Sequence, residues 1–170
     1  DAGLRIRGGQ SSSPNFPKHS FHVFFRRDYG DAALRFPLFG ANGAGEFDTI
    51  DLRCEHGYAY ADPYTYSDEF TAIRDVFCRD LWAATGHAST RSRPYHLYLN
   101  GQYWGLYQTQ ERAQEDYASS YWGGAPEDYD VIKATGLPQT TIEVARGDST
   151  NWLRLWSGAR AVAANPTDAN

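Results

Sequence analysis

The sequence has no methionine, only two cysteines, and no apolar run of the roughly 18 residues that a membrane-spanning helix needs. It also lacks a basic surplus: the net charge is -5 and the pI is near 5.5, which argues against general nucleic-acid binding. Cys54 and Cys78 are too few and too far apart for a zinc site. They fit either one disulfide or two buried free thiols, so the residues leave the compartment open. The chain opens at Asp1 in strand-like sequence, Leu4 to Arg7, and ends shortly after a helical pattern. With methionine absent, this predicts a piece of a longer protein, with any export signal upstream.

What is present is the composition of a folded domain: 170 residues, 41% hydrophobic and 22% charged. The most legible stretch is Tyr95 to Glu111, YHLYLNGQYWGLYQTQE. Asn100-Gly101 between aromatic-rich β-formers predicts a hairpin, because both central residues of a type I′ turn need positive φ. A two-residue turn pairs Leu99 with Gln102, Leu97 with Trp104 and Tyr95 with Leu106, with Gly105 opposite His96. Tyr95, Leu97, Leu99, Trp104 and Leu106 then share the core face, and His96, Tyr98, Tyr103 and Tyr107 the other. Two faces of large side chains predict the interior of a sheet.

Taken in order, Leu4–Arg7 and His19–Phe25 read as strands, the second with Phe21, Val23 and Phe25 on one face. The loop between them, Gly8-Gly9-Gln10-Ser11-Ser12-Ser13, is either a solvated surface loop or an anion cradle of backbone N–H and hydroxyl donors. Lys18 stands where an ammonium would reach the same anion. Ala32–Phe39 is an edge strand or a loop, and Phe47–Leu52 a short strand. Asp48 and Asp51 are either metal ligands or solvated or capping residues. Tyr58–Tyr66 is either an aromatic platform for carbohydrate or a packed loop.

Ser67–Thr85 predicts a helix with Ser67 as N-cap and Gly86 as its stop. Phe70, Ile73, Phe77, Leu81 and Ala84 form its buried stripe, leaving Arg74, Asp75, Arg79 and Asp80 off it. Arg74, beside the stripe, is the one of these that could reach into a site. Further elements are a short helix at Asp116–Tyr121, a strand at Asp130–Lys133 and a helix at Asp148–Ala164 with Trp152, Leu155, Trp156 and Ala159 on one face. Strands, helix, hairpin, strand and helix make an α+β fold, rich in antiparallel sheet.

Three stretches together resemble the spore coat protein H (CotH) kinase family. Arg7-Gly8-Gly9-Gln10-Ser11-Ser12 with Pro17-Lys18-His19-Ser20-Phe21 is similar to that family's Arg-Gly-x-Ser-Ser…Pro-Lys-x-Ser/Pro-Phe/Tyr segment. Arg74-Asp75 stands where the family has an Arg-Asn/Asp helix. The hairpin, followed by Glu111, matches its Leu-Tyr-x-Asn-Gly-x-Tyr-x-Gly-x-Tyr…Glu signature. The resemblance runs from Leu4 to about Trp156, with Gly9 where Asn is usual and Gln102 where Glu is frequent.

The resemblance implies an atypical protein-kinase-like fold, of which residues 1–170 are an N-terminal portion. It also implies ATP with Mg or Mn as cofactor, a protein as phosphoacceptor, and an extracellular or cell-surface location. Ser11 and Ser12 would cradle phosphate, Lys18 would pair with it, and Glu111 would orient Lys18. Arg74 is a further contact, and Lys133 a rival for the lysine role. The family's metal-binding aspartates are expected beyond Asn170, so ATP binding by these residues alone is expected to be weak or absent. A non-catalytic coat or adhesion module is the competing class, and a carbohydrate-binding domain, suggested by 15% aromatic residues, the third.

Overall fold

The computed structural model describes residues 1–8, 12, 14–16, 18–54, 71–135 and 141–166. They divide into two compact units, Asp1–Ala113 and Gln114–Asn170.

The first unit is built on a five-stranded antiparallel sheet. Its strands are β1 (Gly3–Arg7), β2 (Ser20–Phe24), β5 (Thr49–Arg53), β6 (Ser92–Leu99) and β7 (Gln102–Glu111), in the order β1-β2-β5-β7-β6. The short strands β3 (Leu34–Arg35) and β4 (Glu46–Phe47) pair separately. Helix α1 (Arg74–Ala84) lies between β5 and β6 in the chain.

The two faces differ because side chains alternate along each strand. Phe21, Val23, Ile50, Leu52 and Tyr107 point to the apolar face. There Leu38, Phe39, Phe47 and Ile50 form one buried cluster, and Phe21, Cys54 and Tyr107 a second, with Leu97 and Leu99 against it. Arg7, His22, Asp51, Arg53 and Gln110 point to the other face, which is polar.

The hairpin turn is as expected, with Asn100 at φ 51° and Gly101 at φ 79°. Beyond it the register departs from the sequence reading. Leu99 pairs with Gln102 and Tyr98 with Tyr103, but a bulge at Trp104 then sets Leu97 opposite Gly105 and Tyr95 opposite Tyr107. One inserted residue moves everything after it to the opposite face. Tyr107 therefore belongs to the core, 1% exposed, while Trp104 and Leu106 are exposed. Only β7 is interior; β6 is an edge strand.

Helix α1 also corrects an expectation. Ser67 and Phe70 lie outside the described residues; the helix begins after Ile73, which offers no side-chain cap, and stops at Gly86, φ +87°. The apolar stripe is turned outward, with Phe77 63% and Leu81 57% exposed. Asp75 and Arg79 face the sheet instead, because the surface they meet is the polar one.

In the second unit, α2 (Glu115–Trp122) is followed by a hairpin of β8 (Val131–Thr135) and β9 (Thr141–Arg146), then α3 (Thr150–Ala164). No residue of α3 is buried, so its Trp152–Trp156 face is not the core seam the spacing predicts. The two rings stack at 6.4 Å. Among the described residues no helix is long and apolar enough to cross a membrane.

Both cysteines are free thiols, Cys54 buried and Cys78 exposed on α1. Burial pushes the Cys54 thiol up, with Ser20 bonding to it at 3.4 Å. Only a thiolate alkylates readily. Iodoacetamide at pH 8 is therefore expected to label Cys78 and spare Cys54 until the protein is denatured, as read by peptide mass spectrometry.

Candidate functional site

On the polar face, an ion-pair network ties the central strand β5 to helix α1. Arg53, the last residue of β5, donates from Nη1 to Asp75 Oδ2 at 2.8 Å and to Gln110 Oε1 at 3.0 Å. Asp75 Oδ2 also accepts from Arg79 Nη2 at 3.3 Å, one helical turn on. Arg79 Nη1 in turn donates to the Thr90 carbonyl at 2.8 Å, and Gln110 Nε2 to Thr90 Oγ1 at 2.9 Å. Gln108 Nε2 reaches the Ala72 carbonyl just before the helix. Burial lowers the Arg79 guanidinium's affinity for its proton, while Asp75 opposes that shift. The result is a cation held on a central strand by an acid on the helix.

Beside it on the same face, Asp51 is 2% exposed and binds Arg7 Nε at 2.8 Å through Oδ2 and His22 Nδ1 through Oδ1. Both oxygens are engaged by protein cations and donors, so Asp51 is an ion-pair centre rather than a metal ligand. Among the described residues no three His, Cys, Asp or Glu side chains are grouped to hold a metal ion.

Lys18 lies across the apolar side. Its ammonium donates to the Leu106 carbonyl at 2.9 Å and sits 4.7 Å from the centre of the Tyr107 ring. Tyr107 stacks on Phe21 and donates its hydroxyl to the His19 carbonyl at 2.8 Å. Burial lowers the Lys18 pKa and raises that of Tyr107. Gly105 makes the seat: at φ +114° it accommodates the bulge, and a Cβ there would stand 3.2 Å from Lys18 Nζ.

The structure does not bring Glu111 to Lys18. Glu111 is at the far end of β7, paired in register with Ile50, five residues beyond Leu106, or about 16 Å along an extended strand. It is 2% exposed, accepts from the Arg91 backbone N–H at 2.7 Å and forms an ion pair with the Arg91 guanidinium at 3.6 Å. Lys133 pairs with Glu143 across β8 and β9 at 3.2 Å, in the second unit. Arg74 opens α1, half-buried. Ser12 is exposed, while Ser11 and Tyr58–Tyr66 lie outside the described residues.

The family model of the CotH kinase protein matches residues 4–165, nearly the whole chain. The chain belongs to the CotH kinase family. No curated protein matches it. Within this CotH-family chain, sequence reasoning passed over Arg53 and Asp75. Asp75 was in view as half of the Arg74-Asp75 pair, but a helical stripe reading assigns charged residues to solvent. Arg53 carries no local signal, since its partner is 22 positions away.

Proposed function

We propose that this chain is the nucleotide-holding part of an ATP-dependent protein kinase of the CotH type, with Arg53 facing the phosphates and Asp75 positioning it. The observation that carries the reading is the 2.8 Å ion pair between β5 and α1. Protein kinases hold ATP phosphates with a strand cation paired to a helix acid, because phosphoryl transfer is mostly positioning and charge stabilisation. The central place of β5 and the insertion of α1 between β5 and β6 agree with that plan.

An arginine keeps the charge that a lysine would bring and adds a planar fork of donors suited to phosphate oxygens. Asp75 and Gln110 hold that fork, and Arg79 anchors the acid's helix to the Thr90 segment. ATP would supply the transferable phosphoryl group. A protein phosphoacceptor and an extracellular or surface location belong to the same proposal, and rest on family membership.

The test is ATP binding by the chain and two variants. Wild type is expected to bind in the millimolar range, Arg53→Gln about tenfold more weakly, for one charged hydrogen-bonding group lost. Lys18→Ala should stay within about twofold of wild type, since a seat remote from the phosphates contributes little to binding. A loss on Lys18→Ala with Arg53→Gln unchanged would move the phosphates to Lys18 and overturn the assignment.

A further inference from the structure

At the other end of the polar face, three guanidinium groups converge on one phenyl ring. Arg26 lies 5.1 Å, Arg5 5.3 Å and Arg112 5.9 Å from the centre of Phe24. They come from separate places: Arg5 from the edge strand β1, Arg26 from just past β2, and Arg112 from just past β7. Cation–π contacts of any weight occur about once per 70–80 residues, so three on one ring is a local concentration of positive charge.

The acids that act on Arg112, Asp51 and Asp48, offset this charge only in part. Both oxygens of Asp51 are taken by Arg7 and His22, and Asp48 accepts from the Thr49 hydroxyl at 3.0 Å. Among the described residues, none of Arg5, Arg26 and Arg112 is within ion-pair distance of a carboxylate. Arg112 is half-buried. Burial lowers its pKa, Asp51 and Asp48 oppose that, and the charges of Arg5 and Arg7 add to it. Three guanidiniums around one phenyl ring, with no carboxylate at ion-pair distance, suit a compact anion with several oxygens, which the forked donors can bind in pairs.

We propose that Arg5, Arg26 and Arg112 form a binding site for a phosphate group carried on a side chain of a protein. A nucleotide fits less well, because three guanidiniums already stand 5.1–5.9 Å from the centre of the Phe24 ring on which a base would stack. The site lies on β1, β2 and the end of β7, whereas Arg53 is at the opposite end of β5, about 13 Å away along the strand. If the chain acts in a protein kinase, as proposed above, such a site would hold a phosphorylated segment of the protein substrate; binding itself does not depend on that reading.

The experiment is a titration of the isotope-labelled chain with a Gly-Gly-phosphoserine-Gly-Gly peptide, without ATP, followed at the arginine Nε–H signals. Saturable shifts at Arg5, Arg26 and Arg112 are expected, reversed by inorganic phosphate and absent with the unphosphorylated peptide. Arg5→Gln/Arg26→Gln should weaken binding at least tenfold while the amide spectrum keeps the wild-type pattern, since both side chains are exposed. Equal binding of the two peptides, or no change in the double variant, would overturn the proposal. So would stronger displacement by ATP than by tripolyphosphate, which would make this a nucleotide site. Retained phosphopeptide binding in Arg53→Gln, alongside lost ATP binding, would separate this site from the one at Arg53.

Discussion

Replacing Asp51 with alanine is expected to lower the free energy of unfolding by about 3 kcal/mol, the low end of the range for removing one partner of a buried ion pair, because Arg7 is 32% exposed. Asp51 is 2% exposed in the middle of β5 and is the single acceptor joining Arg7 of β1 to His22 of β2. Its loss leaves a guanidinium and an imidazole facing each other across a position that water reaches poorly. Against a total stability of about 5–15 kcal/mol, this is a large share of what holds the protein folded. Urea denaturation would show a lower midpoint at unchanged slope. Asp51→Leu combined with Arg7→Leu should cost less than Asp51→Ala alone, because it removes the orphaned charge along with its partner. Equal losses in the two variants would mean that the pair does not hold the three strands together.

Gly105→Val is expected to destabilise by about 2–3 kcal/mol, the combined effect of a branched residue at positive φ and a displaced neighbour. The backbone there is at φ +114°, and the new Cβ would meet Lys18 Nζ at 3.2 Å. The ammonium would have to leave the Leu106 carbonyl and the Tyr107 ring. The two causes can be parted. In a double-mutant cycle with Lys18→Ala, the steric share disappears and the backbone share remains. A coupling of zero would place Lys18 elsewhere than on Gly105.

The hairpin was legible because Asn100-Gly101 leaves the chain few turns to choose from, and α2 and the start of β8 followed from short-range pattern. The bulge was not. A glycine in a strand signals either a bulge or a close approach, and at Gly105 both hold, with Lys18 arriving from 87 residues earlier. Strand β9 has a readable alternation in Thr141–Arg146 that the sequence analysis does not use. Helix α1 failed for a physical reason. Its apolar stripe is real, yet the sheet face it meets carries Arg53 and Gln110, so the charged side turned inward. Pairing of this kind depends on what stands opposite, which spacing along one helix does not contain. The family resemblance implies an orienting role for Glu111, which follows the hairpin motif; its register with Ile50 and its bond to Arg91 show it anchoring the strand end.

Where the ATP phosphates sit decides between Arg53 and Lys18. The chain labelled at arginine Nε and lysine Cε should be titrated with ATP to about 10 mM, a range that covers millimolar affinities. A saturable shift at Arg53 Nε–H, lost in Asp75→Asn, with Lys18 unmoved, is the predicted result. A shift confined to Lys18, or none at either residue, would contradict it.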